Sequence, residues 1–264
     1  MTVLPPWDRE VMGDMGRSRR RTIDSLLLPG PCAKCPVRKF AAYSGVPAGS
    51  LKFLQSARLA DRILPPRQNI LWEEKSADGL FTLYDGWAFT YKLLPDGRRQ
   101  ILDFLLPGSF IGLNVLWFEA MPHSVRSLTS VSLCVFDKEK FRNLLRRKPE
   151  YEWELLRYAT YYQASSDERL SDLGRRTGKE RIARLVLKIH DQSDRRGMVK
   201  SGAFPFPLRQ EHIADALGLT KVHVSRTLRA LRQEGLLKMG RDTALIHDLK
   251  GLREFAEYPG REAE

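Results

Sequence analysis

The chain has 264 residues, 42% of them hydrophobic, which suffices for a packed core in one large or two small domains. Forty-four Lys and Arg against 32 Asp and Glu leave a net charge of +12, which favours an anionic partner but does not separate DNA, RNA and membrane surface. No apolar run approaches a membrane span, the N-terminus lacks the apolar core of a signal peptide, and three cysteines are too few for a disulfide scaffold, so a cytoplasmic chain with free thiols is expected.

Residues 1–31 are punctuated by proline and glycine and carry Arg17, Arg19, Arg20 and Arg21, which reads as a flexible basic arm. A short helical region is expected from Val37 to Ser56. Turn signals then recur at Pro65-Pro66, Asp78-Gly79, Asp85-Gly86, Pro95-Asp96-Gly97 and Pro107-Gly108. Between them lie the short runs Ile70–Trp72, Leu80–Tyr84, Ala88–Leu94, Gln100–Leu105, Val125–Leu128 and Val131–Phe136. Evenly spaced short strands predict a β-sandwich or barrel, and residues 32–150 are assigned to one such domain.

Asp137 is placed to cap a helix over KEKFRNLLRRK. A longer helix follows from Tyr151 to Leu173, within a segment 151–176. Its Leu155, Ala159, Tyr162, Ser166 and Leu173 form an imperfect stripe that suits either its own domain or the same helix of a second copy. A further helix, Gly178 to His190, has Ile182, Leu185, Val186 and Ile189 on its apolar side. Residues 191–205 read as a polar linker.

Residues 206–247 carry the most information. A helix over Arg209–Leu217 places Ile213, Ala214 and Leu217 on one face. Gly218 ends it and Thr220 is a fitting N-cap for the next, Lys221–Gln233. That second helix has an apolar back (Val224, Leu228, Leu231) and a polar, basic front (Lys221, His223, Ser225, Arg226, Arg229). Leu236–Met239 and Thr243–His247 read as a β-wing around Gly240-Arg241-Asp242. Turn, cap, spacing, charge and wing agree on a DNA-binding helix-turn-helix in the segment 177–264, against the plainer alternative of a helical hairpin with solvated charges.

The stretches DGRRQILDFLLPGSFIGL, GKERIARLVLKI and LRQEHIADALGLTKVHVSRTLRALRQEGLL together resemble the CRP/FNR superfamily of bacterial transcription regulators over residues 40–250. The resemblance implies an α+β fold: an N-terminal β-roll of the cyclic-nucleotide-binding type, a long dimerisation helix and a C-terminal winged helix-turn-helix. It also implies a homodimer whose DNA heads respond to an effector or redox state, and RNA polymerase as a partner. Pairing follows from geometry too, because one short recognition helix reads few base pairs. Two-fold symmetry predicts an inverted-repeat operator in double-stranded DNA, with half-sites ~34 Å apart.

By resemblance the base contacts fall on Lys221, Val222 and Arg226, with Ser225 adjacent. A guanidinium bonds guanine O6 and N7 bidentately, so Arg226 is the first candidate, a phosphate contact being its alternative. Many relatives carry glutamate where this chain has Val222. Valine accepts no hydrogen bond from cytosine N4 and suits a thymine methyl, so the preferred operator should differ at that pair. Arg209, Gln210, Thr220, His223 and Arg241 are candidate phosphate contacts; Arg229 and Arg232 read as solvated.

Cyclic AMP is not expected to bind. Family members that bind it need a glutamate after the PGxFxG turn and an Arg-Ser or Arg-Thr pair for the phosphate. Here PGSFIG is followed by Leu113-Asn114, the FEAMPHS loop is short, and Arg126 falls on the next strand. Cys32 and Cys35, spaced CxxC, lie where oxygen-sensing relatives carry iron-sulfur ligands, and Cys134 falls where those relatives place the distal one. A third N-terminal ligand would fall at Ala41. A cluster wants four ligands and only three thiols exist, so the fourth would be an Asp, a His, a small thiol or a partner's residue; a redox disulfide, another metal and an inert core role stay open beside it. The histidines are dispersed and no catalytic motif stands in a suitable context, so no enzyme is expected. The alternatives retained are a cyclic-nucleotide-responsive regulator and a non-sensing basic nucleic-acid-binding protein.

Overall fold

The computed structural model describes residues 26–258, which divide into two compact units, residues 26–169 and 170–258. The arm expected over 1–31 lies almost wholly outside the described residues.

The first unit opens with three 3-10 turns, Cys32–Lys34, Arg38–Phe40 and Ala48–Ser50, and helix α1 (Leu51–Ala57). Eight strands follow: β1 (Arg58–Leu64), β2 (Asn69–Leu71), β3 (Gly79–Asp85), β4 (Ala88–Leu93), β5 (Arg99–Leu105), β6 (Phe110–Ile111), β7 (Ser124–Ser127) and β8 (Val131–Asp137). They form two antiparallel four-stranded sheets, ordered β1-β8-β3-β6 and β2-β7-β4-β5. The six runs legible in the sequence are strands within a residue or two of their expected ends. Two strands were not expected. β1 is an edge strand of sequence RLADRIL whose middle residues are exposed, so its charges hide the alternating pattern while guarding an open edge. β6 is only two residues long.

The inner strands β3 and β8 of the sheet β1-β8-β3-β6 are buried on both faces, and side-chain alternation sorts their residues between two cores. Phe81 and Leu83 on β3, with Val131 and Leu133 on β8, meet Ile70, Leu71, Ala88, Leu105 and Val125 of the facing sheet. Their neighbours Leu80, Tyr84, Cys134 and Phe136 point the other way, into a core closed by the 3-10 turns, α1, α2 (Lys138–Arg147) and the start of α3 (Pro149–Arg175). Fully burying Phe89, Phe136 and Phe141 contributes about 1.5–3 kcal/mol each. Asp137 accepts from the Lys140 N–H at 2.7 Å and caps α2 as expected.

Of the stripe on α3, Leu155 and Tyr162 pack on the β-roll. Leu155 is buried in the outer core, Tyr162 packs on the core between the sheets, and the Tyr158 hydroxyl accepts from the Phe110 N–H at 3.0 Å. Ser166, the stripe's polar member, is exposed. Leu155 and Tyr162 of that stripe therefore pack on their own domain, whereas Ser166 does not. The apolar residues left exposed on α3 are instead Trp153 (69%), Leu156 (59%) and Leu170 (72%).

Gly86, in the β3–β4 turn, has φ +87°, and a Cβ there would lie 2.1 Å from the Ser130 carbonyl oxygen. The left-handed backbone and the backbone collision act together. Gly86→Ala should cost more than about 3 kcal/mol, read as a lower urea midpoint. An unchanged midpoint would refute the geometry of this turn.

The second unit contains α4 (Gly178–Arg195), β9 (Ala203–Pro205), α5 (Gln210–Leu217), α6 (Lys221–Gln233), β10 (Leu237–Met239), β11 (Thr243–Ile246) and α7 (Leu249–Phe255). Thr177 and Glu180 form a capping box that starts α4. The expected linker 191–205 is corrected here. α4 runs on through Arg195, and Ala203–Pro205 is a third strand paired with β11, its Phe204 fully buried. The Phe204 ring meets His190 edge-on, 5.2 Å between centroids. That contact spans the sequence and has no local signature. Among the described residues no helix is long and apolar enough to cross a membrane.

Candidate nucleic-acid interface

α5, α6 and the β10–β11 wing are set by a small core. Ile213, Ala216, Val224 and Leu231 are almost fully buried, beside Ile182, Ala183 and Val186 of α4. Gly218 ends α5 with φ +63° and ψ +38°, and its N–H and that of Leu219 both bond the Ala214 carbonyl. A left-handed residue at this position is what glycine supplies without strain. Thr220 caps α6, its hydroxyl accepting from the His223 N–H at 3.1 Å. Arg181 of α4 donates to the Leu217 carbonyl at 2.8 Å, tying off the end of α5. Lys179 pairs with Glu234 at 2.6 Å. These long-range ties hold the end of α5 and the C-terminal end of α6.

Every residue expected to touch DNA is exposed: Arg209, Gln210, Thr220, Lys221, Val222, His223, Ser225, Arg226 and Arg241. Residues three and four apart share a helix face, so Val222, Arg226 and Arg229 form one row, with Lys221 and Ser225 beside it. Val222 is 59% exposed, which is unusual for valine and leaves its methyls free for a partner. Among the described residues no hydrogen bond or ion pair holds Arg226, Arg229 or Arg241. Arg241 stands at the wing tip, where Gly240 N–H bonds the Thr243 carbonyl at 2.8 Å.

Two candidates are engaged within the protein. The Lys221 ammonium lies 3.5 Å from the Glu211 carboxylate, so it starts from an exposed ion pair that a phosphate or a base must replace. The His223 ring lies against Gly178 in the first turn of α4: a Cβ on that glycine would meet Nε2 at 2.4 Å. His223 thus packs on the scaffold. Sequence reasoning missed Glu211 and Arg181 as organisers of this face, since both act through partners distant in the chain.

In the β-roll, the residues after the PGSFIG turn and Arg126 are all engaged within the protein. Leu113–Leu116 is a 3-10 turn whose Val115 and Leu116 are buried, and Leu113 packs on the outer core. Arg126 spends its Nε donor on the Arg67 carbonyl at 2.9 Å. The space between the sheets is filled by aliphatic side chains and Phe81, with Tyr162 of α3 packed against them. Burial and the neighbouring Asp103 hold the Tyr162 hydroxyl well above its ordinary range, and Arg169 forms an ion pair with Asp103 at 3.8 Å and donates to the Ile101 carbonyl.

The three thiols converge in the outer core. Cys32 and Cys134 are buried there, Cys35 packs against it, and all three are free. Burial raises each thiol, Cys134 to about 12; the Arg58 guanidinium opposes this at all three. Arg58 also bonds Asp61 and the Gly30 carbonyl, and nothing in the local sequence announces it as the cysteines' neighbour. The chain has three cysteines where an iron-sulfur cluster takes four ligands, and no group of three or more His, Cys, Asp or Glu among the described residues has metal-holding geometry.

A β-roll joined through a long helix to a winged helix-turn-helix with a free basic face defines a class of gene regulators. The cyclic nucleotide-binding domain family matches residues 61–148, and the Crp-like helix-turn-helix domain family matches residues 180–255. The transcriptional activatory protein AadR of Rhodopseudomonas palustris is 32% identical over 82% of this chain and 89% of its own length. The nitrogen fixation regulation protein FixK of Bradyrhizobium diazoefficiens is 30% identical over 82% and 87%. The structure of FixK2 from Bradyrhizobium japonicum aligns with a TM-score of 0.68 at 25% identity, over 77% of this chain and 98% of that one. This chain belongs to the CRP/FNR family of transcription regulators, on its FNR-like side, and not to a class of enzymes.

Proposed function

We propose that the protein is a homodimer that binds an inverted-repeat operator and regulates transcription from it in response to a signal other than a cyclic nucleotide. The observation that carries the reading is the exposed row Val222–Arg226–Arg229 on α6, its back buried and its arginines unengaged among the described residues. Arg226 and Lys221 supply donors for base edges, Val222 an apolar contact. Arg209, Gln210, Thr220 and Arg241 supply phosphate contacts that set register. His223 acts at one remove, holding α6 on α4. The exposed Trp153 and Leu156 support a second copy as partner. Relatives described as transcriptional activators support contact with RNA polymerase.

Leu113 in place of an acid, the engaged Arg126 and the filled interior support a β-roll that has lost its nucleotide. A footprint on the preferred operator tests both parts. Two protected half-sites ~34 Å apart are expected, with a specific-to-random affinity ratio of at least ~1,000, both unchanged by cyclic AMP. A single half-site, or equal affinity for random duplex, would leave only a basic nucleic-acid binder. Protection that depends on cyclic AMP would restore the nucleotide-responsive alternative.

A further inference from the structure

We propose that Cys32 and Cys35 are a built site for reversible disulfide formation by small hydroperoxides, with Cys134 held out of the reaction. The two cysteines bracket a single 3-10 turn, Cys32–Lys34, closed by bonds from Lys34 N–H to the Pro31 carbonyl and from Cys35 N–H to the Cys32 carbonyl. A 3-10 helix has three residues per turn and rises ~2.0 Å per residue. Residues i and i+3 are therefore eclipsed, with Cα atoms ~6 Å apart, inside the window of about 4.4–6.8 Å that disulfides occupy. Pro31 and Pro36 frame the turn and restrict its backbone, so the geometry is set before oxidation.

The surroundings assign different parts to the two sulfurs. Cys35 is partly exposed, whereas Cys32 is buried behind it. The positive charge of the Arg58 guanidinium favours the thiolate at both sulfurs. Burial outweighs that charge and raises both thiols, so the reaction rests on the geometry of the turn and on access to Cys35. A half-buried Cys35 admits a hydroperoxide more readily than a bulky disulfide.

The chemistry balances. Cys35 sulfur attacks the terminal oxygen of the hydroperoxide, the O–O bond breaks, and an alcohol (water, for hydrogen peroxide) leaves with a sulfenic acid on Cys35. Cys32 sulfur then attacks the Cys35 sulfur, expelling water and forming the S–S bond. Two thiols are oxidised by two electrons and one peroxide bond is reduced. Cys134 lies in the same core on β8, paired in the sheet with Asp61 of β1 and Thr82 of β3, and is buried on a strand rather than placed in the turn.

The test treats the full-length protein, purified reduced, with hydrogen peroxide, and maps thiols by alkylation and peptide mass. Cleavage after Lys34 separates the two cysteines, so a Cys32–Cys35 disulfide appears as one linked pair of peptides. The expected result is that this pair forms first, lacks two hydrogens, and is reversed by dithiothreitol. The same pair should form in Cys134→Ser, while Cys35→Ser should leave Cys32 alkylatable. A first-formed disulfide that includes Cys134, or independent over-oxidation of Cys32 and Cys35 without a linked pair, would overturn the proposal. The mapping on unsubstituted protein decides the matter even if a variant fails to fold.

Discussion

Arg226→Ala should weaken binding to the specific operator by roughly 5- to 150-fold per head, about 1–3 kcal/mol, while non-specific affinity falls far less. The guanidinium projects from the middle of the exposed row on α6, and no partner among the described residues has to release it. Bidentate hydrogen bonding to one base edge carries sequence information, so its loss should also relax preference at one symmetric pair of positions. Because the substitution lies on an exposed face, the fold should be unaffected. The decisive measurement is affinity for the operator and for single-base variants across a salt series. Equal losses on all duplexes, with the salt slope reduced by about one, would make Arg226 a phosphate anchor instead. Val222→Glu in the same assay should shift preference toward a cytosine-containing pair, because a carboxylate accepts from cytosine N4 where valine cannot.

Leu156→Glu should turn a dimer into a monomer and lower operator affinity by at least ~100-fold. Trp153 and Leu156 are three apart on α3, form one apolar ridge, and are more than half exposed. Neighbouring Glu154 and Leu155 point inward: Glu154 accepts from the Gly45 N–H and pairs with Arg157, both at 2.8 Å, and Leu155 enters the outer core. The inward face thus fastens α3 to its own β-roll, and the outward ridge has apolar area to bury against a second copy. A carboxylate on that ridge would be buried unpaired in the dimer, at several kcal/mol per copy. Linked heads gain an effective concentration worth about 100- to 10,000-fold, and a monomer forfeits it. Sedimentation of both proteins, paired with operator titration, checks this. A Leu156→Glu protein that stays dimeric would move the seam elsewhere on the molecule.

The winged helix-turn-helix was readable almost residue by residue: α6 runs from Lys221 to Gln233 as expected, and the wing strands differ by one residue at one end each. Its signals are local, namely a cap, a glycine and a helical period. The strands of the β-roll were readable for the same reason, except where charge masked β1 and brevity hid β6. The linker misread at 191–205 shows the limit. Ala203–Pro205 has no alternating pattern, and becomes a strand because β11 offers an edge and a pocket receives Phe204.

Local order in this chain follows from residue types at short spacing: which segments coil, which extend, where each stops, and which surface of α6 is basic. The fold around those segments decided the rest, because burial and pairing depend on residues far apart in sequence. It placed Tyr162 of α3 against the core between the sheets and brought Cys134 on β8 to the side where Cys32 and Cys35 lie. The stripe drawn on the sequence separated Leu155 from Leu156, about 100° apart around one helix, but only the fold showed that Leu155 enters the β-roll's core while Leu156 stays exposed.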